Sequence, residues 1–183
     1  MITKKSLVLY VEWVILSIVL VALPNEAIAS STTSADLPQT TTDSTGFHSA
    51  FDTYVATEPG GYGVYEARQS NVFKPGETLL LYVEPAGMTY SPSTTTDGTE
   101  QLYNSKMTAE ITISDSQGTV LAEIPNIPAG NIMSHHQNKE VFLLLSLDQE
   151  SPFPTGDYLI KYVVRDDISG DSFEIVKDVV ISG

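Results

Sequence analysis

The chain ends with Thr155-Gly-Asp-Tyr-Leu-Ile-Lys-Tyr-Val-Val-Arg165, followed by Asp166-Asp-Ile-Ser-Gly-Asp171 and Ser172-Phe-Glu-Ile-Val-Lys-Asp-Val-Val-Ile181. Aromatic or β-branched residues occupy every second position of the first segment: Tyr158, Ile160, Tyr162 and Val164. This spacing is the pattern of a half-buried β-strand, because successive side chains leave opposite faces of a strand. The second segment is rich in turn residues and the third in β-branched residues. The stretch therefore predicts the closing hairpin of a β-sandwich.

Composition narrows the class of protein further. A chain of 183 residues suits one folded domain, and its net charge of −14 repels phosphate backbones, so nucleic-acid binding is not expected. The chain contains no cysteine, which excludes disulfides and thiolate metal sites. We expect its stability to come from apolar burial and from hydrogen bonds between strands.

The first part of the chain, residues 1–29, has the features of a signal peptide. Two lysines precede an apolar run, and Ala27-Ile-Ala29 provides small residues before a cleavage point. The alternative is a retained membrane anchor formed by residues 7–23, which is only just long enough to span a bilayer and contains Glu12. In both cases we expect the rest of the chain to be secreted or extracytoplasmic, with membrane contact only through an uncleaved N-terminal segment.

Residues 30–46 form the second predicted region and are rich in serine, threonine and aspartate. Such a segment cannot bury enough apolar surface to offset the entropy lost on ordering, so we expect a disordered linker. The composition suits a bare linker or one that carries O-linked sugars. The remaining residues, 47–183, are predicted to form the folded domain.

Apolar periodicity and turn signals predict an all-β fold of about seven strands and no helix in this domain. The clearest strands before the closing hairpin are 78–84, which is apolar on both faces, and 102–114, in which apolar and polar residues alternate. Further strands are predicted at 47–57 (an irregular entry strand), 62–68 (an edge strand), 119–124 and 141–147. Residues 91–99 are predicted as an exposed loop and residues 125–137 as a long connection. The expected architecture is an antiparallel two-sheet sandwich.

Two motifs of the closing hairpin, Gly156-Asp157-Tyr158 and Arg165-Asp166-Asp167, resemble the final hairpin of immunoglobulin-like and fibronectin-III-like modules of secreted proteins. The resemblance implies that Tyr158 is the tyrosine of a tyrosine corner, whose hydroxyl bonds back to the backbone. The cysteine pair and core tryptophan of antibody domains are absent, since the single tryptophan is Trp13.

An earlier run is similar to secreted prokaryotic domains of unassigned function: Tyr62-Gly-Val-Tyr-Glu-Ala-Arg68, Phe73-Lys-Pro-Gly-Glu77 and Tyr82-Val-Glu-Pro85. Immunoglobulin-like families mostly serve binding, adhesion or assembly. The resemblance therefore implies an architecture rather than an activity.

Two neighbouring histidines, His135 and His136, are candidate ligands for copper or zinc, and Met133 would add a thioether for copper. Neighbouring residues of a strand point to opposite faces, so both rings reach one metal only from an irregular loop. The alternative is a pair of solvated histidines, because no third ligand is identifiable from the spacing.

Oxygen-bearing side chains are concentrated in the turn of the closing hairpin, where Asp167, Ser169 and Asp171 follow Asp166. Calcium prefers several carboxylate and carbonyl oxygens close together, which makes this turn a candidate calcium site. The spacing departs from an EF-hand loop, and the alternative is that these residues only cap the hairpin. Apart from copper, zinc or calcium, no cofactor is expected.

Tyrosines are frequent in the N-terminal half of the domain, where they form either core or an exposed binding platform. Tyr90 and Tyr103 flank the predicted polar loop and are the candidates for exposure and binding. No nucleophile elbow, phosphate loop or His-Glu-x-x-His motif occurs, so an enzyme is not expected. We expect an exported, acidic, non-enzymatic module that binds a protein or glycan at the cell envelope. The alternative is an extracytoplasmic copper- or zinc-binding protein that uses the His135-His136 loop.

Overall fold

The computed structural model describes residues 46–183. Within this range the chain forms nine strands and no helix. The strands are β1 (His48–Tyr54), β2 (Val72–Phe73), β3 (Leu79–Ala86), β4 (Ser91–Thr94), β5 (Gln101–Asp115), β6 (Val120–Ser134), β7 (Leu143–Leu147), β8 (Gly156–Asp166) and β9 (Ser172–Ile181). The predicted all-β class is confirmed. The expected number of about seven strands is wrong, because β2 and β4 are too short to produce a period-two pattern.

The predicted signal peptide or anchor, 1–29, lies outside the described residues, as does the predicted linker, 30–46, apart from Gly46. In the part of the chain that the structure covers, no helix could span a membrane.

The strands form two sheets. The smaller sheet has the order β1-β3-β7, and the larger has the order β2-β9-β8-β5-β4, with β6 also paired to β5. All of these pairs are antiparallel except β2 with β9, which is parallel. Buried side chains of both sheets form one hydrophobic core, with β3 and β7 on one side and β5, β8 and β9 on the other. This arrangement is consistent with a β-sandwich.

The closing hairpin has the predicted pattern. On β8, Ile160, Tyr162 and Val164 are fully buried, whereas Leu159 and Arg165 on the opposite face are exposed. β9 pairs with β8 in antiparallel register through the predicted turn. Near the start of β8, the Tyr158 hydroxyl donates to the backbone carbonyl of Pro154 at 2.9 Å. This is the backbone hydrogen bond that the resemblance implied for Tyr158.

β5 is the central strand of the larger sheet, with β8 and β4 on one side and β6 on the other. Its predicted apolar face is buried as expected: Met107, Ala109, Ile111 and Ile113. Thr112 and Ser114 were expected on a wet face, but both are only 8% exposed. β5 is paired on both edges, so the neighbouring strands shield its backbone and its side chains from water. The alternating pattern alone does not indicate this additional burial.

Three predicted segments are wrong. β6 continues to Ser134 where a connection at 125–137 was expected, and its pairing with β5 is interrupted by three register shifts. Pro125 and Pro128 are tolerated because β6 is an edge strand, and the shifts disrupt the period that would have indicated a strand. β4 lies in the predicted loop 91–99. The predicted strand 62–68 is instead a turn with isolated bridges, since Gly61 pairs with Val64.

Two polar contacts link the sheets. The Tyr54 hydroxyl at the end of β1 lies 3.1 Å from the Tyr162 hydroxyl on β8, and both side chains are buried. Burial raises the pKa of Tyr54 to about 12 and the pKa of Tyr162 well above its usual value. An ion pair also joins Lys177 of β9 to Asp52 of β1.

Candidate functional site

A group of aromatic side chains lies on the outer face of the three-stranded sheet. We call it the aromatic surface, and its members are Phe51, Tyr62, Tyr65, Tyr82 and Phe142. Because side chains alternate along β3, Leu81 and Val83 enter the hydrophobic core while Tyr82 points to the opposite face. Tyr82 is nevertheless 0% exposed. It is therefore buried by the other aromatic residues and not by the core.

Ring contacts join four members of this group, Phe51, Tyr65, Tyr82 and Phe142. The Tyr65 and Tyr82 centroids are 4.5 Å apart, and those of Tyr82 and Phe142 are 5.5 Å apart with the rings stacked at 19°. Phe51 stacks on Tyr65 at 5.5 Å and meets Tyr82 edge-on at 6.4 Å. Offset and edge-to-face pairs of this kind are favourable beyond the area they bury. Tyr82 is thus the centre on which three other rings pack.

The loop between β1 and β2 brings Tyr62 and Tyr65 onto the sheet. Gly63, at the turn between them, has a φ of 68°, a conformation that glycine adopts without steric cost. Its backbone N–H donates to the Tyr82 hydroxyl at 2.8 Å. The loop returns to β1 through the Arg68 N–H, which donates to the Tyr54 carbonyl at 2.9 Å. These bonds fix the loop against the sheet.

A carboxylate borders the rings. The Tyr82 hydroxyl donates to Glu84 Oε1 at 2.6 Å, two residues further along the same face of β3. Burial, followed by this hydrogen bond, raises the pKa of Tyr82 to about 12. The phenol therefore stays protonated at all physiological pH values, so it can accept from Gly63 and donate to Glu84 at the same time.

The rim of the aromatic surface is open to solvent. Phe51 and Tyr62 are each 39% exposed, and Val64 beside them is 62% exposed. The negative charge of Glu84 is the largest cause of the raised pKa of Tyr62, followed by burial, a hydrogen bond to Glu84 and the charge of Glu140. The site therefore combines exposed rings with two nearby carboxylates.

The residues predicted for binding, Tyr90 and Tyr103, are located elsewhere. Both are partly buried, and the Tyr90 hydroxyl donates to the Asn138 carbonyl at 2.5 Å. Burial is the main cause of the raised pKa of Tyr90. Among the ring contacts of residues 46–183, none involves Tyr90 or Tyr103. Their role in binding stays a prediction.

Met133 and the two histidines lie at the end of β6 and just after it, and all three are exposed. His135 Nε2 is 3.7 Å from Glu100 Oε2, and the Ser134 hydroxyl donates to the His136 carbonyl. Across the described residues, no group of three or more His, Asp or Glu side chains is arranged to hold a metal ion. Copper or zinc binding by this loop stays a prediction.

The oxygen-rich turn has partners within the protein. Asp167 accepts from Thr108 Oγ1 at 2.7 Å and lies 3.4 Å from Lys106 Nζ, while Ser169 Oγ accepts from the Asp171 N–H at 3.1 Å. These contacts use the Asp167 carboxylate and the Ser169 hydroxyl, two of the oxygen groups that a calcium ion would need. The predicted calcium role of Asp167, Ser169 and Asp171 stays a prediction.

Asp166, at the end of β8, is the most buried carboxylate of this turn, at 0% exposure. Its Oδ1 accepts from the Ile168 and Ser169 N–H groups at 2.9 and 3.3 Å, and its Oδ2 accepts from the Thr89 N–H at 2.6 Å. Such charge-assisted bonds stabilise a buried carboxylate. Asp166 therefore connects the closing hairpin to the loop after β3.

The residues of the aromatic surface were only partly foreseen. The frequency of tyrosines in the N-terminal half of the domain includes Tyr62, Tyr65 and Tyr82 without distinguishing them, and it gives no indication of Phe51 or Phe142. One signal was present in the sequence, because Tyr82 lies between Leu81 and Val83 and must therefore point away from the face that they share. Comparison with known protein families and with curated proteins gives no match.

Proposed function

We propose that this chain is an exported, non-enzymatic binding module, built on an immunoglobulin-like sandwich, that holds a protein or glycan of the cell envelope. Two features support the immunoglobulin-like type: β9 lies between parallel β2 and antiparallel β8, and Tyr158 makes the backbone bond of a tyrosine corner. The segment 1–29 supports export by its composition.

One observation carries the binding role, namely the exposure of rings at the rim of the aromatic surface. Contiguous exposed apolar patches with polar edges are typical of interaction sites, and aromatic residues are enriched in them. Phe51 and Tyr62 are exposed, and the Phe51 ring packs on Tyr65 and Tyr82. The surface is therefore apolar and partly rigid, as a docking site for a sugar ring or a side chain requires.

The test compares the full-length chain with Phe51→Ala and with Val176→Ala, a matched control for an exposed apolar residue on the other sheet, 51% exposed. Each protein is applied to immobilised envelope proteins and to a glycan array. We expect Val176→Ala to bind as the parent does and Phe51→Ala to bind about tenfold more weakly, the effect of losing one contact of roughly 1–1.5 kcal/mol. Equal binding by all three proteins would refute the proposed site.

The alternative function, metal binding through the loop after β6, rests on the nearness of Glu100 to His135. A carboxylate and an imidazole are both good ligands for zinc, and Met133 remains exposed nearby. Titration with Cu(II) and with Zn(II), followed by calorimetry, tests it. Loss of binding in a His135→Ala/His136→Ala variant supports this function, and unchanged affinity refutes it.

A further inference from the structure

We infer that the group bound by the aromatic surface is cationic: a lysine or arginine side chain of a basic protein segment. This inference rests on the proposed binding function and specifies its ligand. It follows from the charges around the rings, from the polarity of the rings themselves and from a contact that the chain already makes internally.

The rim of the aromatic surface is negatively charged. Glu84 and Glu140 both act on Tyr62, and their negative charge raises the pKa of its phenol. Of the ion pairs in residues 46–183, none includes either carboxylate, and Lys139, next to Glu140 in the sequence, is in none of them. With a net charge of −14, the whole chain adds to this negative field. A cation is therefore attracted to the surface and an anionic glycan is repelled.

The exposed aromatic rings themselves attract cations. The face of an aromatic ring carries partial negative charge, so an ammonium or guanidinium group over it is attracted. Phe51 and Tyr62 are each 39% exposed; Phe51 is the cross-strand partner of Glu84, and Tyr62 lies near Glu84 and Glu140. A neutral sugar can stack on such rings, but it leaves the carboxylate charges without a counter-ion. A cation can contact the ring faces and also act as the counter-ion of the carboxylates.

The chain already contains a cation held by a ring and a carboxylate. The Arg68 guanidinium lies over the Phe73 ring, 4.0 Å from its centroid, and pairs with Glu77 at 2.5 Å. Burial by itself would raise the pKa of Glu77, but hydrogen bonds from Lys74 N–H and Arg68, with their charges, lower it overall. A ring and a carboxylate thus already hold one cation in this fold. The aromatic surface offers an equivalent pair to a cation from outside.

The experiment uses two forms of one short peptide, one with two free lysines and one with both lysines acetylated, and a neutral oligosaccharide as a third probe. Each probe is titrated into the isotope-labelled full-length chain, and side-chain resonances of Phe51, Tyr62 and Tyr65 are followed by NMR. We expect saturable shifts with the lysine peptide and about tenfold weaker binding after acetylation, since a partly desolvated cation–π contact with a carboxylate contributes on that scale.

Two variant pairs complete the design. Glu84→Gln/Glu140→Gln keeps the shape and leaves an acceptor for Tyr82, and it should weaken lysine-peptide binding about tenfold. Glu110→Gln/Glu123→Gln removes the same amount of charge from the larger sheet. It should have little effect on lysine-peptide binding, because the charges of these two residues are screened from the aromatic surface at physiological salt. An equal loss of lysine-peptide binding in both double variants would indicate a general charge effect and would overturn the inference.

The remaining outcomes separate the inference from the proposed function. If the oligosaccharide or the acetylated peptide shifts the same resonances as strongly as the lysine peptide, and Phe51→Ala abolishes this binding, the surface is a binding site but the cation is not its ligand. If the lysine peptide produces no saturable shift at Phe51, Tyr62 or Tyr65, the inference is also overturned. In that case the envelope and glycan-array comparison still decides the proposed function.

Discussion

Replacing Tyr162 by phenylalanine removes a single hydroxyl from the interior, and the structure gives the expected cost. Tyr162 is 0% exposed and its hydroxyl lies 3.1 Å from that of Tyr54, which is 7% exposed. After the substitution the Tyr54 hydroxyl is buried without a partner. An unsatisfied buried hydroxyl costs about 1–3 kcal/mol. We therefore expect Tyr162→Phe, and likewise Tyr54→Phe, to lower the free energy of unfolding by about 1–2 kcal/mol.

The double variant Tyr54→Phe/Tyr162→Phe separates the free energy of the hydrogen bond from the effect of removing each hydroxyl by itself. With both hydroxyls gone, no unpaired donor or acceptor remains, so the double variant should be destabilised by less than the sum of the two single variants. The expected coupling energy is about 1 kcal/mol. Urea unfolding of the full-length chain at neutral pH, followed by circular dichroism, measures all four free energies. Tyr103→Phe is the matched control, since Tyr103 is only partly buried.

Alkaline pH provides a second measurement of the same pair. Burial raises the pKa of Tyr54 to about 12 and the pKa of Tyr162 well above its usual value, so the folded state keeps protons that the unfolded chain releases above about pH 10. Stability from these phenols is complete below about pH 10 and falls as the pH rises toward the folded pKa, by roughly 2–3 kcal/mol for Tyr54. The double phenylalanine variant should lose less stability over this range. Additive single effects together with an unchanged alkaline slope would refute the reasoning.

Two further substitutions test the packing of the closing hairpin and of the loop after β3. Asp166→Asn places an NH2 group opposite a backbone N–H that now donates to the carboxylate, and should cost about 2–4 kcal/mol in urea unfolding. Asp171→Asn, which alters an exposed carboxylate of the same turn, should have little effect, and equal losses would contradict this role of Asp166. Gly87 has a φ of 73°, and Gly87→Ala adds a Cβ that overlaps the carbonyl of Gly46. This substitution should lower the free energy of unfolding by roughly 2–4 kcal/mol. Gly118→Ala, at a φ of 83° with open space around it, should cost only about 1 kcal/mol, and an equal loss would exclude a steric cause.

Much of the fold was accessible from the sequence because the central strands obey simple alternation. On β8, burial of Ile160, Tyr162 and Val164 follows directly from their spacing. The part of β6 after residue 124 was missed for a physical reason, since register shifts move side chains between faces and Pro125 and Pro128 mimic a connection. β4 was missed because its pairing with β5 depends on the backbone, and its four residues, Ser91–Thr94, have no apolar pattern.

The aromatic surface was harder to predict because it depends on tertiary packing. Sequence alone indicates that Tyr82 faces away from Leu81 and Val83, but not what covers it. Part of what covers Tyr82 is the loop between β1 and β2. Residues 62–68 of this loop were predicted as a strand but form a turn around Gly63. Phe142 precedes β7, and its contact with Tyr82 depends on the pairing of β3 with β7. No local pattern contains this information.

The loop between β1 and β2 does not cover the aromatic surface completely. Tyr62 of that loop and Phe51 of β1 each remain 39% exposed. The Tyr82 hydroxyl accepts from Gly63 and donates to Glu84, so the turn, the central ring and one carboxylate are held in fixed relative positions. Ordering a binding surface after contact is costly, and a surface that is already ordered avoids most of that cost. Exposed rings on a pre-ordered support, beside a fixed negative charge, are therefore the features on which the proposed binding role rests.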